Sequence, residues 1–178
     1  MRALAAMIAI SPDTARWARI AAEGFRERGD ARGECHPLWI EGIAVAYLGD
    51  LDASRRTLSR MVALGERAGE TYYSSMARFG VAYVEVNLGD ADAAAEAARL
   101  GLRGVVRLDD RLGLAFQLDG HAWVAARKRD YRRAAVLFGC ADRAWARWAP
   151  NPTSPSTCPA SASPGTARTR WGSGSSRG

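Results

Sequence analysis

The chain has 178 residues, 48% of them apolar, and a formal net charge of +6 at neutral pH. That length suffices for one buried core, and an apolar set dominated by alanine, without runs of Val, Ile and Thr, favours helices over strands. No acidic residue follows Asp142, so Arg168, Arg170 and Arg177 carry +3 at the end of the chain and leave +3 on the body, too thin an excess for a nucleic-acid-binding stripe.

The opening "MRALAAMIAI" is apolar but short, and no small-residue cleavage motif follows it, which argues against a secretion signal. No apolar run approaches the ~20 residues of a membrane span. Cys35, Cys140 and Cys158 lie far apart without a CxxC pair, so neither a disulfide framework nor a zinc site is expected. A cytoplasmic protein with reduced thiols and without a metal or other cofactor is the expectation.

In chain order, periodicity predicts a truncated first helix at Ala3–Ala9 and its partner at Asp13–Arg28. Three helix pairs follow: Pro37–Leu48 with Ala53–Ala68, Tyr73–Leu88 with Ala91–Leu108, and Leu112–Lys128 with Tyr131–Trp148. These make one helical domain over residues 1–149. From Pro150 onward the composition turns abruptly to Pro, Ser, Gly and Thr, and residues 150–178 are expected to be a disordered tail. That tail reads equally as a natural extension or as GC-rich coding DNA translated out of frame.

The pairs are copies. "YLGDLDAS" at Tyr47–Ser54 returns forty residues later as "NLGDADAA" at Asn87–Ala94, and again as "RKRDYRRA" at Arg127–Ala134. Gly49, Gly89 and Arg129 share a column, followed by Asp50, Asp90 and Asp130; seven residues earlier stand Gly42, Ala82 and Ala122, and five later Ser54, Ala94 and Ala134. Glycine suits a left-handed helix end, and Asp50 or Asp52, like Asp90 or Asp92, can cap the next helix. The small columns let paired axes approach closely. A hairpin of this size cannot bury both apolar faces alone, so neighbours must stack.

The Gly-Asp turn with small residues at fixed offsets resembles a tetratricopeptide-type repeat; in the last copy Tyr131, Ala134, Phe138 and Ala141 fall where that motif has aromatic, small, aromatic, small. The period is forty, no proline closes each unit, and Arg129 replaces glycine. Longer repeats of this kind resemble the C-terminal helical region of large bacterial ATP-binding regulators of the LuxR type, and "YRRAAVLFGCADRAWARWA" is similar to their last repeat. The resemblance implies an all-α, right-handed, tetratricopeptide-like solenoid, and a chain that is a fragment of such a regulator. A phosphate-binding loop and a DNA-reading helix pair are both missing from this stretch.

By that resemblance, the first helix of each pair lines an inner groove. Groove positions map to His36, Trp39, Ile43 and Tyr47, then Phe79, Tyr83 and Asn87, then Asp119, Trp123 and Arg127. Aromatic rows ending in Asn and Arg suit another protein, an apolar peptide or a small organic effector with an anionic group; the same spacing is equally that of a core stripe. Trp145 and Trp148 close the last helix, where an uncovered face would favour self-association. Catalysis is not expected: His36 and His121 fall on different repeats, and His121 reads as a packing residue. Asp109 and Asp110 read as an inter-repeat loop. The dense arginines of "ARKRDYRR" (126–133) are the alternative, a nucleic-acid contact. The leading expectation is a non-enzymatic scaffold for protein binding or effector sensing, with a stand-alone adaptor as the second form of it.

Overall fold

The computed structural model describes residues 12–148, with side chains over 13–147. Within them the chain is all helix: α1 (Pro12–Glu27), α2 (Ala31–Tyr47), α3 (Leu51–Arg67), α4 (Thr71–Leu88), α5 (Ala91–Arg107), α6 (Arg111–Arg127) and α7 (Tyr131–Trp148). The expected helix at Ala3–Ala9, the tail and Cys158 lie outside the described residues.

One turn makes every joint. Helices begin at 31, 51, 71, 91, 111 and 131, so a helix with its turn occupies twenty residues, and the forty-residue repeat is two such units. At each joint the backbone turns left-handed for one residue: Gly29, Gly49, Gly69, Gly89, Asp109 and Arg129. The acidic residue that follows does two jobs. Its backbone N–H donates to the carbonyl five residues back, as from Asp50 to Val45 (3.2 Å) or Asp130 to Ala125 (2.9 Å), which closes the finished helix as a Schellman motif. Its side chain then accepts a backbone N–H of the next helix: Asp30 from Gly33, Asp50 from Ala53, Asp90 from Ala93, Asp110 from Gly113, Asp130 from Arg133, all at 2.8–3.1 Å. Of the capping alternatives, Asp50 and Asp90 are the caps; Asp52 and Asp92 lie in the first turns.

The boundary predicted for α2 needs correction. It begins at Ala31, not Pro37, because Asp30 caps it, and Pro37 sits buried inside the helix. Its missing N–H gives up one helical hydrogen bond to the carbonyl of Gly33.

Helices consecutive in the chain pack antiparallel, and α4 also touches α2 on one side and α6 on the other, whereas among the described residues α1, α3, α5 and α7 touch only their chain neighbours. The stack therefore has an inner row of three closely set helices and an outer row splayed apart, concave on the inner side. The sequence of each row matches its surroundings. Outer helices are strongly one-sided, while α2 and α6 are apolar around their circumference; in α2 the consecutive residues Glu41 to Ala46 are all buried. A helix covered on several sides cannot be amphipathic in the usual sense.

The small columns mark the closest approach within a pair. Ser54 Oγ donates to the carbonyl of Gly42 at 2.7 Å, and a Cβ on Gly42 would lie 2.7 Å from the Leu58 side chain. Ala82, Ala94, Ala122 and Ala134 are buried in the same manner. The buried acids of the inner row are matched by outer-row arginines: Glu41 by Arg19 at 2.8 Å, and Glu34 by Arg60. Breaking a pair like Glu34–Arg60 strands a buried charge. Among the described residues no helix is long and apolar enough to cross a membrane.

Candidate functional site

The inner row brings most of its aromatic residues into one connected ladder. Tyr47 of α2 stacks on Tyr83 of α4 with ring centroids 6.4 Å apart; Tyr83 meets Trp123 of α6 edge-on at 5.6 Å, and Trp123 lies 5.3 Å from Phe79. Phe79 continues to Phe116 at 5.2 Å, and Phe116 to Trp145 of α7 at 4.8 Å. Edge-on and tilted pairs of this kind contribute about 0.5–1.5 kcal/mol each beyond their buried area.

The ladder divides the groove candidates by depth. Ile43 (3% exposed) and Phe79 (2%) are core, joined with Met76 and Phe116 in one buried cluster. Trp39, Tyr47 and Trp123 pack against that cluster from the half-buried layer, and Trp39 encloses its indole N–H without an acceptor among the described residues. Tyr83 is half-buried between Tyr47 and Trp123. Burial disfavours the phenolate at both Tyr47 and Tyr83 and pushes their hydroxyls up from the ordinary tyrosine value. Asn87 and Arg127 are exposed. The Asn87 amide donates to the Tyr83 carbonyl at 2.7 Å. Among the described residues Arg127 forms no ion pair, and its guanidinium lies against Gly89 at the end of α4.

Asp119 does not present a free carboxylate, because Trp145 Nε1 donates to it at 2.9 Å; burial pushes its carboxyl up, with that hydrogen bond acting the other way. For the same reason Trp145 is no uncovered face, since its ring is turned inward onto Phe116; the Trp148 side chain lies outside the described set. His36 is exposed on α2, where it meets Tyr73 of α4 at 6.1 Å and not the ladder. Tyr131, the first aromatic of the motif in the last copy, is 68% exposed, while Ala134 and Ala141 are buried as the motif places them.

Phe116 and Trp145 complete the ladder although sequence columns did not single them out. Phe116 falls on Met76 and His36 at the forty-residue shift, and Trp145 on Val105 and Gly65; only the first of those columns was apolar enough to reveal a row. His121 is half-buried against α5, and burial lowers its proton affinity while the Ala98 backbone raises it. In the basic turn Lys128 is taken by Asp92 at 2.6 Å, and Asp130 is spent on capping α7. Among the described residues no three His, Cys, Asp or Glu side chains gather where they could hold a metal ion.

Protein-family models and curated protein sequences were both compared with the chain, and neither gives a match.

Proposed function

We infer that this chain is a binding scaffold whose inner face receives an apolar or aromatic ligand carrying an anionic group, either a small organic effector or the side chain and terminus of a peptide. The single observation behind this reading is the row Tyr47–Tyr83–Trp123, which crosses the three described inner helices and leads to the exposed Asn87 and Arg127 at the ends of α4 and α6. A polarisable apolar strip with a cation at one end favours a ligand built the same way. Nothing in the row supplies a nucleophile with its base, so binding and not turnover is the function it supports. The wider proposal, that ligand binding here regulates transcription in a bacterial LuxR-type protein, rests on a sequence resemblance carried mainly by residues 112–149.

The test uses 1-anilinonaphthalene-8-sulfonate, an aromatic anion, titrated into the folded chain with fluorescence readout. Arg127→Gln is expected to weaken binding about fivefold, near ~1 kcal/mol for an exposed charge. Tyr83→Leu is expected to lower both affinity and the amount bound. Arg103→Gln, on outer helix α5, serves as the control and leaves both unchanged. If Arg127→Gln and Tyr83→Leu bind the probe as the parent does, the inner face is not the site.

A further inference from the structure

Among the described residues a groove lies open between the first two helices of the stack. Trp17, Ala18, Ala21 and Phe25 of α1 and Pro37 and Ile40 of α2 line it, with a volume of about 380 Å³ and an almost wholly apolar surface. We propose that this groove, separate from the inner aromatic face, is the docking seat for one amphipathic helix of a partner protein, laid beside and parallel to α2 with acidic residues on its flanks.

The repeat itself shows what such a seat holds. Shifted by forty, His36 falls on Met76 and Phe116, Pro37 on Ala77 and Gln117, and Ile40 on Gly80 and Gly120. All six of those mates are buried, whereas His36 is exposed and Ile40 half-exposed. Ala21 is exposed too, while its mates Met61, Gly101 and Ala141 are buried. The inner copies differ in one respect: a preceding inner helix lies against them. In α4 that neighbour is α2, which presents Trp39, Ile43 and Tyr47 to the cluster containing Met76. In α6 it is α4, whose Phe79 reaches to 3.5 Å of where a Cβ on Gly120 would stand. The open groove thus continues an interface already repeated twice within the chain, and the occupant it fits carries large apolar residues at i, i+4 and i+8.

Charge narrows the choice of occupant. The Arg16 guanidinium lies over the Trp17 ring at 5.2 Å and that of Arg28 over the Phe25 ring at 4.9 Å. Neither forms an ion pair among the described residues, in contrast to Arg19, which Glu41 engages. Trp17 and Phe25 are eight residues apart on α1, so the two rings beneath these cations are rooted about 12 Å apart along the helix at 1.5 Å per residue. Carboxylates two turns apart on a docked helix would meet both. Residues 1–11 of the chain itself contain no acid and do not supply that complement.

Fluorescence anisotropy with the full chain tests the seat. The probe is a labelled alanine-based helical peptide with leucine at i, i+4 and i+8 and glutamate on both flanks; its companion carries lysine in place of glutamate. The glutamate peptide is expected to bind, and the lysine peptide at least ~10-fold more weakly, a gap of about 1.4 kcal/mol. Ala21→Glu, at an exposed position the helix tolerates, is expected to abolish binding with the circular dichroism unchanged. The double variant Arg16→Glu with Arg28→Glu is expected to reverse the preference between the peptides. No binding, equal binding of both peptides, or binding unaffected by Ala21→Glu overturns the proposal. So does a dimer in sedimentation that Ala21→Glu dissociates, which assigns the face to a second copy, and so does binding seen only after removal of residues 1–11, which assigns it to the chain's own beginning. None of these outcomes involves Arg127 or Tyr83, so the inner-face reading stands or falls separately.

Discussion

Arg129 carries the most informative departure from the repeat. Its φ of 62° puts an L-residue with a long side chain where Gly49 (96°) and Gly89 (101°) make the same turn. The left-handed region brings Cβ close to the following carbonyl and costs about 1–2 kcal/mol in a non-glycine residue. Arg129→Gly is therefore expected to stabilise the protein by about 0.5–1 kcal/mol, part of the relief being offset by the greater freedom of glycine in the unfolded chain. A rise in the urea midpoint at unchanged m-value checks it. A fall would mean that Arg129 makes a contact worth more than its strain. Asp109, at φ 50°, occupies the equivalent place between pairs and pays less there, since Asp tolerates this conformation.

At the scale of the element, economy of the turn explains why the repeat is so regular. The acidic residue is the last of the two or three residues between one helix and the next and the N-cap of the second, so two helix ends are satisfied within three residues. Losing the side chain breaks only one of the two jobs, because the backbone N–H still closes the finished helix. Asp90→Ala is thus expected to cost about 1 kcal/mol, the usual value of an N-cap, read as a drop in thermal midpoint with helicity retained. Asp92→Ala removes a first-turn acid that pairs with Lys128 across the surface, and an exposed pair of this kind contributes less. Equal losses for the two variants would contradict the assignment of Asp90 as the cap.

For the whole molecule, stacking makes stability a sum over neighbours. Helices α4 and α5 are covered on both sides, whereas α1 packs on α2 alone and α7 on α6 alone among the described residues. Backbone amide exchange is accordingly expected to be slowest in α4 and α5 and fastest in α1 and α7, graded by position in the stack. Mass-spectrometric exchange measured helix by helix would show the gradient; uniform protection from α1 to α7 would mean a single cooperative unit instead. The same incomplete cover leaves Trp17 60% exposed at one end of the stack and gives the α1–α2 groove its open floor.

Local structure was legible in the residues themselves: the helices of the described stretch, the turn at Gly49 and Gly89, the capping aspartates and the small columns at Gly42 and Ser54. Each of these depends on conformational preference or on residues a few positions apart, which periodicity records directly. The sequence also held a signal for the two rows, since one-sided helices alternate with ones apolar all round, although the start of α2 was obscured by Pro37, whose place inside a helix local rules disfavour. Depth, by contrast, came from how the helices pack. Phe79 and Tyr83 stand one turn apart on one apolar stripe, yet the first is sealed between α2 and α6 while the second meets Tyr47 and Trp123 at the half-buried margin. Asp119 sits in a groove column but is engaged by Trp145, twenty-six residues away. Which face of a buried helix meets solvent, and which polar group finds a partner, depends on how far neighbouring axes are offset, and no spacing within one helix encodes that.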